Sequence, residues 1–132
     1  MRGDIYRQPI PDQLWERIRN EFTLPSLEQV RERYSIMHED PEPVMRQLFR
    51  VFVDDCIYCP GFQFRPDLTL EPLVVRLFKR AMELRILHNY FALWMMVPSP
   101  DLQGSRPVDL RGSGDASILH AVLEQAFTDM AA

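Results

Sequence analysis

Apolar side chains recur three or four residues apart over most of the chain, which is the spacing of an amphipathic helix. In the first half this pattern predicts three helices, over residues 11–23, over residues 27–37, and from Asp40 to about Phe52. Ser26 followed by Gln29 matches a capping box at the start of the second helix. No stretch of useful length alternates apolar and polar residues as a strand would. The pattern therefore predicts an all-α fold.

A linker and one long helix organise the second half. Residues 56–67 contain Pro60, Gly61 and Pro66, which a regular helix excludes. An apolar stripe then predicts the longest helix of the chain, a central helix over residues 70–96. Its members are Leu73, Leu77, Ala81, Leu84, Leu87, Phe91 and Trp94. We accordingly expect an N-terminal helical region, 1–65, and a C-terminal domain, 66–132.

The long helix ends in a segment punctuated by proline and glycine, residues 94–110, which we call the elbow. Pro98 and Pro100 prevent continuation of the helix, and Gly104 supplies a permissive backbone position. Pro107 then begins a short helix that ends near residue 111, and Asp115 is placed to cap a last amphipathic helix. The sequence therefore predicts a helix, a tight turn and two C-terminal helices.

Length and composition place the chain among compact, water-soluble domains. It has 132 residues, 46% of them hydrophobic, and contains no uncharged apolar run of the roughly 18 residues that a membrane span needs. The N-terminus lacks the apolar core of a signal peptide, so we expect a cytoplasmic protein and no membrane contact. The formal net charge of −4 argues against a general nucleic-acid binder, because phosphate contacts require a basic surface.

Residues that could carry catalysis or bind metal are few and scattered. Cys56 and Cys59 have the spacing of half a zinc site, and a buried or loop role is the favoured interpretation. The three histidines show no ligand spacing that would complete such a site: His38, His88 and His120. Ser117 precedes His120 by three residues without a third catalytic group. We therefore expect no enzyme activity, no metal and no cofactor.

The end of the long helix is apolar on nearly all of its faces. Residues 91–97 include Phe91, Trp94, Met95 and Met96, which offer more apolar surface than one neighbouring helix would cover. Methionine is an adaptable side chain at binding surfaces, and small domains commonly pair symmetrically. This segment therefore suggests a partner or a second copy of the chain, that is, a homo-oligomer.

The elbow carries a family resemblance. Its pattern is Trp94-x-x-Val97-Pro98-Ser-Pro-Asp-Leu102-x-Gly104-x-Arg106-Pro107-Val-Asp109-Leu110, followed by Gly114-Asp115 and an amphipathic helix. This pattern resembles the C-terminal toxin-binding domain of the Xre/MbcA/ParS class of bacterial antitoxins, over about residues 69–130. The family commonly has Asn where this chain has Ser99, and either side chain can bond a nearby backbone group in a turn.

The resemblance implies an antitoxin that binds a cognate RES-domain toxin, an NAD-consuming enzyme, and covers its active site. It implies partner-binding residues around the elbow: Arg106, Asp109, Arg111 and Asp115. To these we add three residues only because they end the chain: Phe127, Asp129 and Met130. The residues that form the structural elbow are Trp94, Pro98, Leu102, Gly104, Pro107 and Leu110.

A different function remains as the alternative: a DNA-binding transcriptional regulator whose C-terminal half is a dimerisation module. The two helices between Ser26 and Phe52 would form a degenerate helix-turn-helix. However, residues 37–43 are acidic where a recognition helix would begin, and they would face DNA phosphates unfavourably.

Overall fold

The computed structural model describes the backbone of residues 9–113 and 115–131, with side chains up to Thr128 at the C-terminal end. The described chain is mostly helical and contains one small antiparallel sheet. Its α-helices are α1 Gln13–Glu21, α2 Leu27–Met37, α3 Glu42–Met45, α4 Pro72–Glu83, α5 His88–Met96 and α6 Ala116–Ala131. The strands are β1 Val51–Val53 and β2 Cys56–Tyr58, and short 3-10 turns lie at Gly61–Gln63, Pro100–Leu102 and Pro107–Leu110.

The main core gathers apolar side chains from both sides of position 65. Helices α1, α4, α5 and α6 contribute fully buried residues, among them Ile18, Leu77, Met95 and Leu123. Phe49 lies among aromatic rings in this core, with its ring centroid 4.9 Å from that of Phe91. A second, smaller cluster forms beneath α2: Val30, Tyr34, Met45, Leu48 and Cys59.

The first two helices form as the sequence predicts. In α2 the capping box is complete, because the Gln29 backbone N–H donates to Ser26 Oγ at 3.2 Å and the Ser26 N–H donates to Gln29 Oε1 at 2.9 Å. Helix α1 buries Leu14, Trp15 and Ile18, which belong to the stripe that predicted it.

The prediction of a third helix through Phe52 was wrong, whereas the predicted helical fold class holds in its coarser form, as a mostly helical fold with one small sheet. Helix α3 ends at Met45, and the chain continues into a hairpin with the register Val51↔Tyr58 and Val53↔Cys56. The hairpin turn consists of Asp54 and Asp55, whose φ angles are 50° and 64°. Two central residues at positive φ are characteristic of the tight turns that match strand twist, and aspartate tolerates this conformation.

Side chains from outside the hairpin satisfy the backbone of β1 and the residues before it. Gln63 accepts from the Phe49 N–H and donates to the Phe49 carbonyl, both at 2.8 Å. Asn89 does the same for Phe52, at 2.9 and 2.8 Å. The His88 ring lies with Nδ1 3.0 Å from the Arg50 carbonyl, which requires a proton on that nitrogen. The bonds of His88 and Asn89 tie β1 and the residue before it to the start of α5.

The single helix predicted for residues 70–96 is divided into α4 and α5. Helix α4 ends in a Schellman motif, in which the Ile86 N–H donates to the Ala81 carbonyl at 2.9 Å and the Arg85 N–H donates to the Met82 carbonyl at 3.1 Å. Arg85 occupies the left-handed position, with φ 60°, where glycine is usual. The helical stripe continues through the break, so periodicity alone did not reveal it.

Replacing Arg85 by glycine should stabilise the protein. Arg85 is exposed, and a left-handed conformation costs a residue with a Cβ about 1–2 kcal/mol, part of which the greater freedom of unfolded glycine offsets. We expect Arg85→Gly to raise the free energy of unfolding by roughly 0.5–1 kcal/mol, measured by urea denaturation. Arg85→Ala, which removes the side chain but keeps the Cβ, should give no such gain.

The apolar run at the end of α5 lies in the core of the same chain. Every residue from Phe91 to Met96 is buried, with Met95 and Met96 at 0% exposure. The excess apolar surface that suggested a second copy is therefore covered by α1, α4 and the elbow rather than exposed. In the described part of the chain, no helix combines the length and the apolar character needed to cross a membrane.

Candidate functional site

The elbow is a closed loop held by its own backbone. The Ser99 N–H donates to the Ser105 carbonyl at 3.0 Å, and the Gly104 N–H donates back to the Ser99 carbonyl at 2.9 Å. Gln103 and Gly104 supply the reversal with φ angles of 58° and 84°. The proline-rich segment thus forms the predicted tight turn with a defined conformation.

The apolar elbow residues face inward. Trp94 and Leu102 are 2% and 8% exposed, Pro107 is buried and Leu110 is half-buried, whereas Pro98 is exposed. The predicted short helix takes the form of a 3-10 turn, Pro107–Leu110, which contacts α5. The structure therefore places four of the six predicted elbow residues against the core and leaves Pro98 and Gly104 on the surface.

Arg106 joins the elbow to the distant helix α1. Its Nη1 and Nη2 donate to Glu21 Oε2 and Oε1 at 3.0 and 2.9 Å, and its Nε and Nη2 donate to Asp109 Oδ2 and Oδ1, both at 2.9 Å. The Arg106 side chain is 16% exposed. We call this arrangement the arginine clamp. Bidentate pairing of this kind fixes orientation as well as charge.

The arginine clamp changes the ionisation of its members. Hydrogen bonds from Arg106 lower the pKa of the Glu21 and Asp109 carboxyls below their usual range. The bonds to Asp109 and then to Glu21 raise the pKa of Arg106. All three groups are therefore charged at neutral pH, and the two carboxylates stay ionised when the pH falls into the ordinary carboxyl range.

Arg111 and Asp115 have local structural partners. Arg111 Nη1 donates to the Val108 carbonyl at 2.7 Å, and the guanidinium carbon lies 4.9 Å from the centroid of the Phe22 ring. Asp115 Oδ1 accepts from the Ser117 N–H at 2.8 Å and from the Ile118 N–H at 3.4 Å, which is the predicted cap of α6.

Of the predicted partner-binding residues at the end of the chain, the structure places the side chain of Phe127 only. Phe127 is 5% exposed and belongs to the main core, so its side chain does not face solvent. The side chains of Asp129 and Met130 lie outside the described residues.

Carboxylates dominate the solvent-facing charges of the elbow. Asp109 has 48% of its side chain exposed, and Asp101 and Asp115 are exposed as well. Glu21 joins them through the arginine clamp. We call these four residues the acidic elbow. Because Arg106 is turned inward, the structure presents negative charge outward on a fixed backbone, an arrangement suited to recognition of a cationic surface.

Sequence reasoning missed Glu21, which lies 85 positions before its partner Arg106. An exposed glutamate at the end of an amphipathic helix has no distinguishing signal, since the pair forms only when α1 and the elbow meet. Arg19, Arg33 and Arg65, which line a groove beside α1 and α2, were missed for the same reason.

The cysteine pair has contrasting environments. Cys56 is exposed on β2, whereas Cys59 is fully buried, and burial raises the pKa of the Cys59 thiol to about 11. Cys59 therefore stays protonated at neutral pH and packs as a small apolar side chain. Within the described ranges, no three His, Cys, Asp or Glu side chains are grouped so that they could hold a metal ion.

Comparison of the chain with models of known protein families, with curated proteins and with solved structures finds no match.

Proposed function

We propose that the chain is an antitoxin that binds a RES-type, NAD-consuming toxin and neutralises it by covering its active site. The proposal rests on the resemblance of residues 94–115 to the toxin-binding domain of Xre/MbcA/ParS antitoxins. The observation that carries it furthest is the acidic elbow, a set of outward carboxylates on a closed loop.

The acidic elbow suits this role because its geometry is fixed before binding. The loop bonds between Ser99, Gly104 and Ser105 and the arginine clamp leave little backbone freedom to lose on association. Cationic side chains are one means by which an enzyme that uses NAD can hold the phosphate groups of the cofactor. A rigid array of carboxylates can occupy such a pocket through charge-assisted hydrogen bonds.

Co-expression with the product of an adjacent reading frame of RES type tests the proposal directly. We expect that product alone to stop growth and deplete cellular NAD, and we expect this chain to restore both. A neighbouring product that is harmless alone, or whose toxicity the chain leaves unchanged, would contradict the antitoxin function.

Neutralising two carboxylates of the acidic elbow should weaken toxin binding without unfolding the protein. Asparagine keeps an oxygen that accepts hydrogen bonds, so Asp109→Asn still meets Arg106 and Asp115→Asn still caps α6. Each lost charge-assisted contact is replaced by a weaker neutral one. We expect the double variant to raise the Kd for the toxin about tenfold, as measured by calorimetry.

The matched control is Asp54→Asn with Asp55→Asn in the hairpin turn. These aspartates are exposed, their change in net charge is the same, and asparagine also tolerates positive φ. The control should bind the toxin with unchanged affinity. Equal weakening by both pairs would mean that net charge rather than the acidic elbow determines binding.

A further inference from the structure

A groove with a volume of about 970 Å³ lies between the end of α1, helix α2 and the loop after β2. It lies next to the acidic elbow, with which it shares Glu21, and its charged lining is mostly of the opposite sign. Its walls contain the apolar side chains Phe22, Leu24, Val30 and Phe64. Its charged lining is mostly arginine: Arg19, Arg33, Arg65 and Arg111, with Glu21 and Glu32.

Most of these arginines form no ion pair with a carboxylate in the described part of the chain, whereas Glu21 is paired with Arg106. Within the described part of the chain, Arg19, Arg33 and Arg111 form no ion pair, and Arg65 reaches Glu71 only at 3.6 Å. Glu21 is committed to the arginine clamp. Positive charge is therefore in excess along the groove, although the whole chain carries a net charge of −4.

Arg111 is held in place at the groove by contacts with an aromatic ring and a backbone carbonyl. Its guanidinium stacks over Phe22 and donates one hydrogen bond to the Val108 carbonyl. Its Nε is buried and has no hydrogen-bond partner. A cation that is already oriented and partly desolvated binds an incoming carboxylate more strongly than a mobile surface arginine does.

We propose that this groove binds a short acidic segment of a partner protein. Carboxylates of the segment pair with the arginine rim, and its apolar side chains lie against Phe22, Leu24 and Phe64. Peptide is favoured over nucleic acid because the walls are largely apolar and can cover apolar side chains, which a phosphate backbone lacks. This site goes beyond the proposed toxin contact, because the acidic elbow attracts cationic surfaces and the groove attracts anionic ones.

The test measures fluorescence anisotropy with the full chain and a short fluorescein-labelled peptide of alternating glutamate and leucine. We expect saturable binding at low salt that weakens as salt rises. A matched peptide of glutamine and leucine should bind at least about tenfold more weakly. Absence of binding, equal binding of both peptides, or preferential binding of labelled duplex DNA would overturn the proposal.

Charge reversal locates the binding site. Arg19→Glu with Arg33→Glu should raise the Kd for the acidic peptide at least about tenfold, since both side chains are exposed on the rim. Arg46→Glu with Lys79→Glu makes the same change in net charge outside the groove and should leave the Kd unchanged. Equal effects of the two pairs would overturn the assignment to the groove. Arg19→Gln with Arg33→Gln, checked by circular dichroism, provides a milder version that preserves the fold.

Because the toxin experiments change Asp109 and Asp115 and the peptide experiments change Arg19 and Arg33, the two proposals can fail separately. Loss of peptide binding in the arginine variants with intact toxin binding would support the groove alone. If the chain binds the acidic peptide as expected but does not neutralise a RES-type neighbour, the groove proposal is supported and the antitoxin function is contradicted.

Discussion

Replacing Gln63 by methionine should lower the free energy of unfolding by roughly 3 kcal/mol, because buried backbone groups would lose their hydrogen bonds. Gln63 is 1% exposed. Its amide accepts from the Phe49 N–H and donates to the carbonyls of Phe49 and Pro60, at 2.8, 2.8 and 3.0 Å. Methionine has a similar shape, so packing is largely retained and the loss is mainly one of hydrogen bonding.

Urea denaturation followed by circular dichroism measures this change. Gln13→Met is the matched control, since Gln13 is exposed at the start of α1 and should tolerate the substitution within about 0.5 kcal/mol. Equal midpoints for the two variants would mean that the amide of Gln63 is not essential and that other groups or water can serve the Phe49 backbone.

The second large effect is expected at Gly61, where two segments of backbone meet. The Gly61 N–H donates to the Thr23 carbonyl at 2.8 Å. A Cβ at this position would overlap Thr23 Oγ1 and lie 2.9 Å from the backbone N and O of Thr23, closer than real side chains approach. Gly61→Ala should therefore lower the free energy of unfolding by about 1–3 kcal/mol, because the backbone must shift.

Gly112 offers a control with the same chemical change. A Cβ there would meet nothing within 4 Å, and its φ angle is not positive. Gly112→Ala should change the free energy of unfolding by less than about 0.5 kcal/mol in either direction. If thermal denaturation shifts equally for both glycine variants, crowding against Thr23 is not the cause.

The sequence correctly predicted the helices whose ends are determined by interactions between neighbouring residues. The capping box at Ser26 and Gln29 marked the start of α2, and the cap at Asp115 marked the start of α6. Helix α1 was predicted from the side chains that it buries. In each case the hydrogen bonds that define the helix join residues within four positions of one another. A short stretch of sequence is therefore enough to predict the helix.

The elements that were mispredicted depend on distant residues. Apolar residues do recur at helical spacing from Val44 to Phe52. The hairpin forms nevertheless, because the side chains of Gln63, His88 and Asn89 bond to its backbone and to the residues before it, and these three residues lie far along the chain from the helical pattern. The paired aspartates at Asp54 and Asp55 were a usable turn signal between two apolar triplets. The break at Arg85 had no such signal, because arginine is a good helix former and the Schellman bonds replace the usual glycine.

The conformation of the elbow was predictable from the sequence, whereas its side-chain pairing was not. Its turn followed from Pro98, Pro100 and Gly104, whose backbone restrictions are local. We predicted from the sequence that Arg106 and Asp109 face a partner protein. In the structure Arg106 pairs instead with both Asp109 and Glu21. Charge placement in a folded chain depends on which helices meet, and that information is absent from a single segment.

The hydrogen bonds between the Asn89 side chain and β1 also affect whether the hairpin can pair with a strand of another molecule. An unpaired strand edge offers free N–H and C=O groups to strands of other molecules and is a common starting point for aggregation. Here the Asn89 amide occupies the outward N–H and C=O of Phe52 as another strand would. The small sheet is thereby closed on that side by a single side chain, so this edge offers no template at Phe52 for fibril growth.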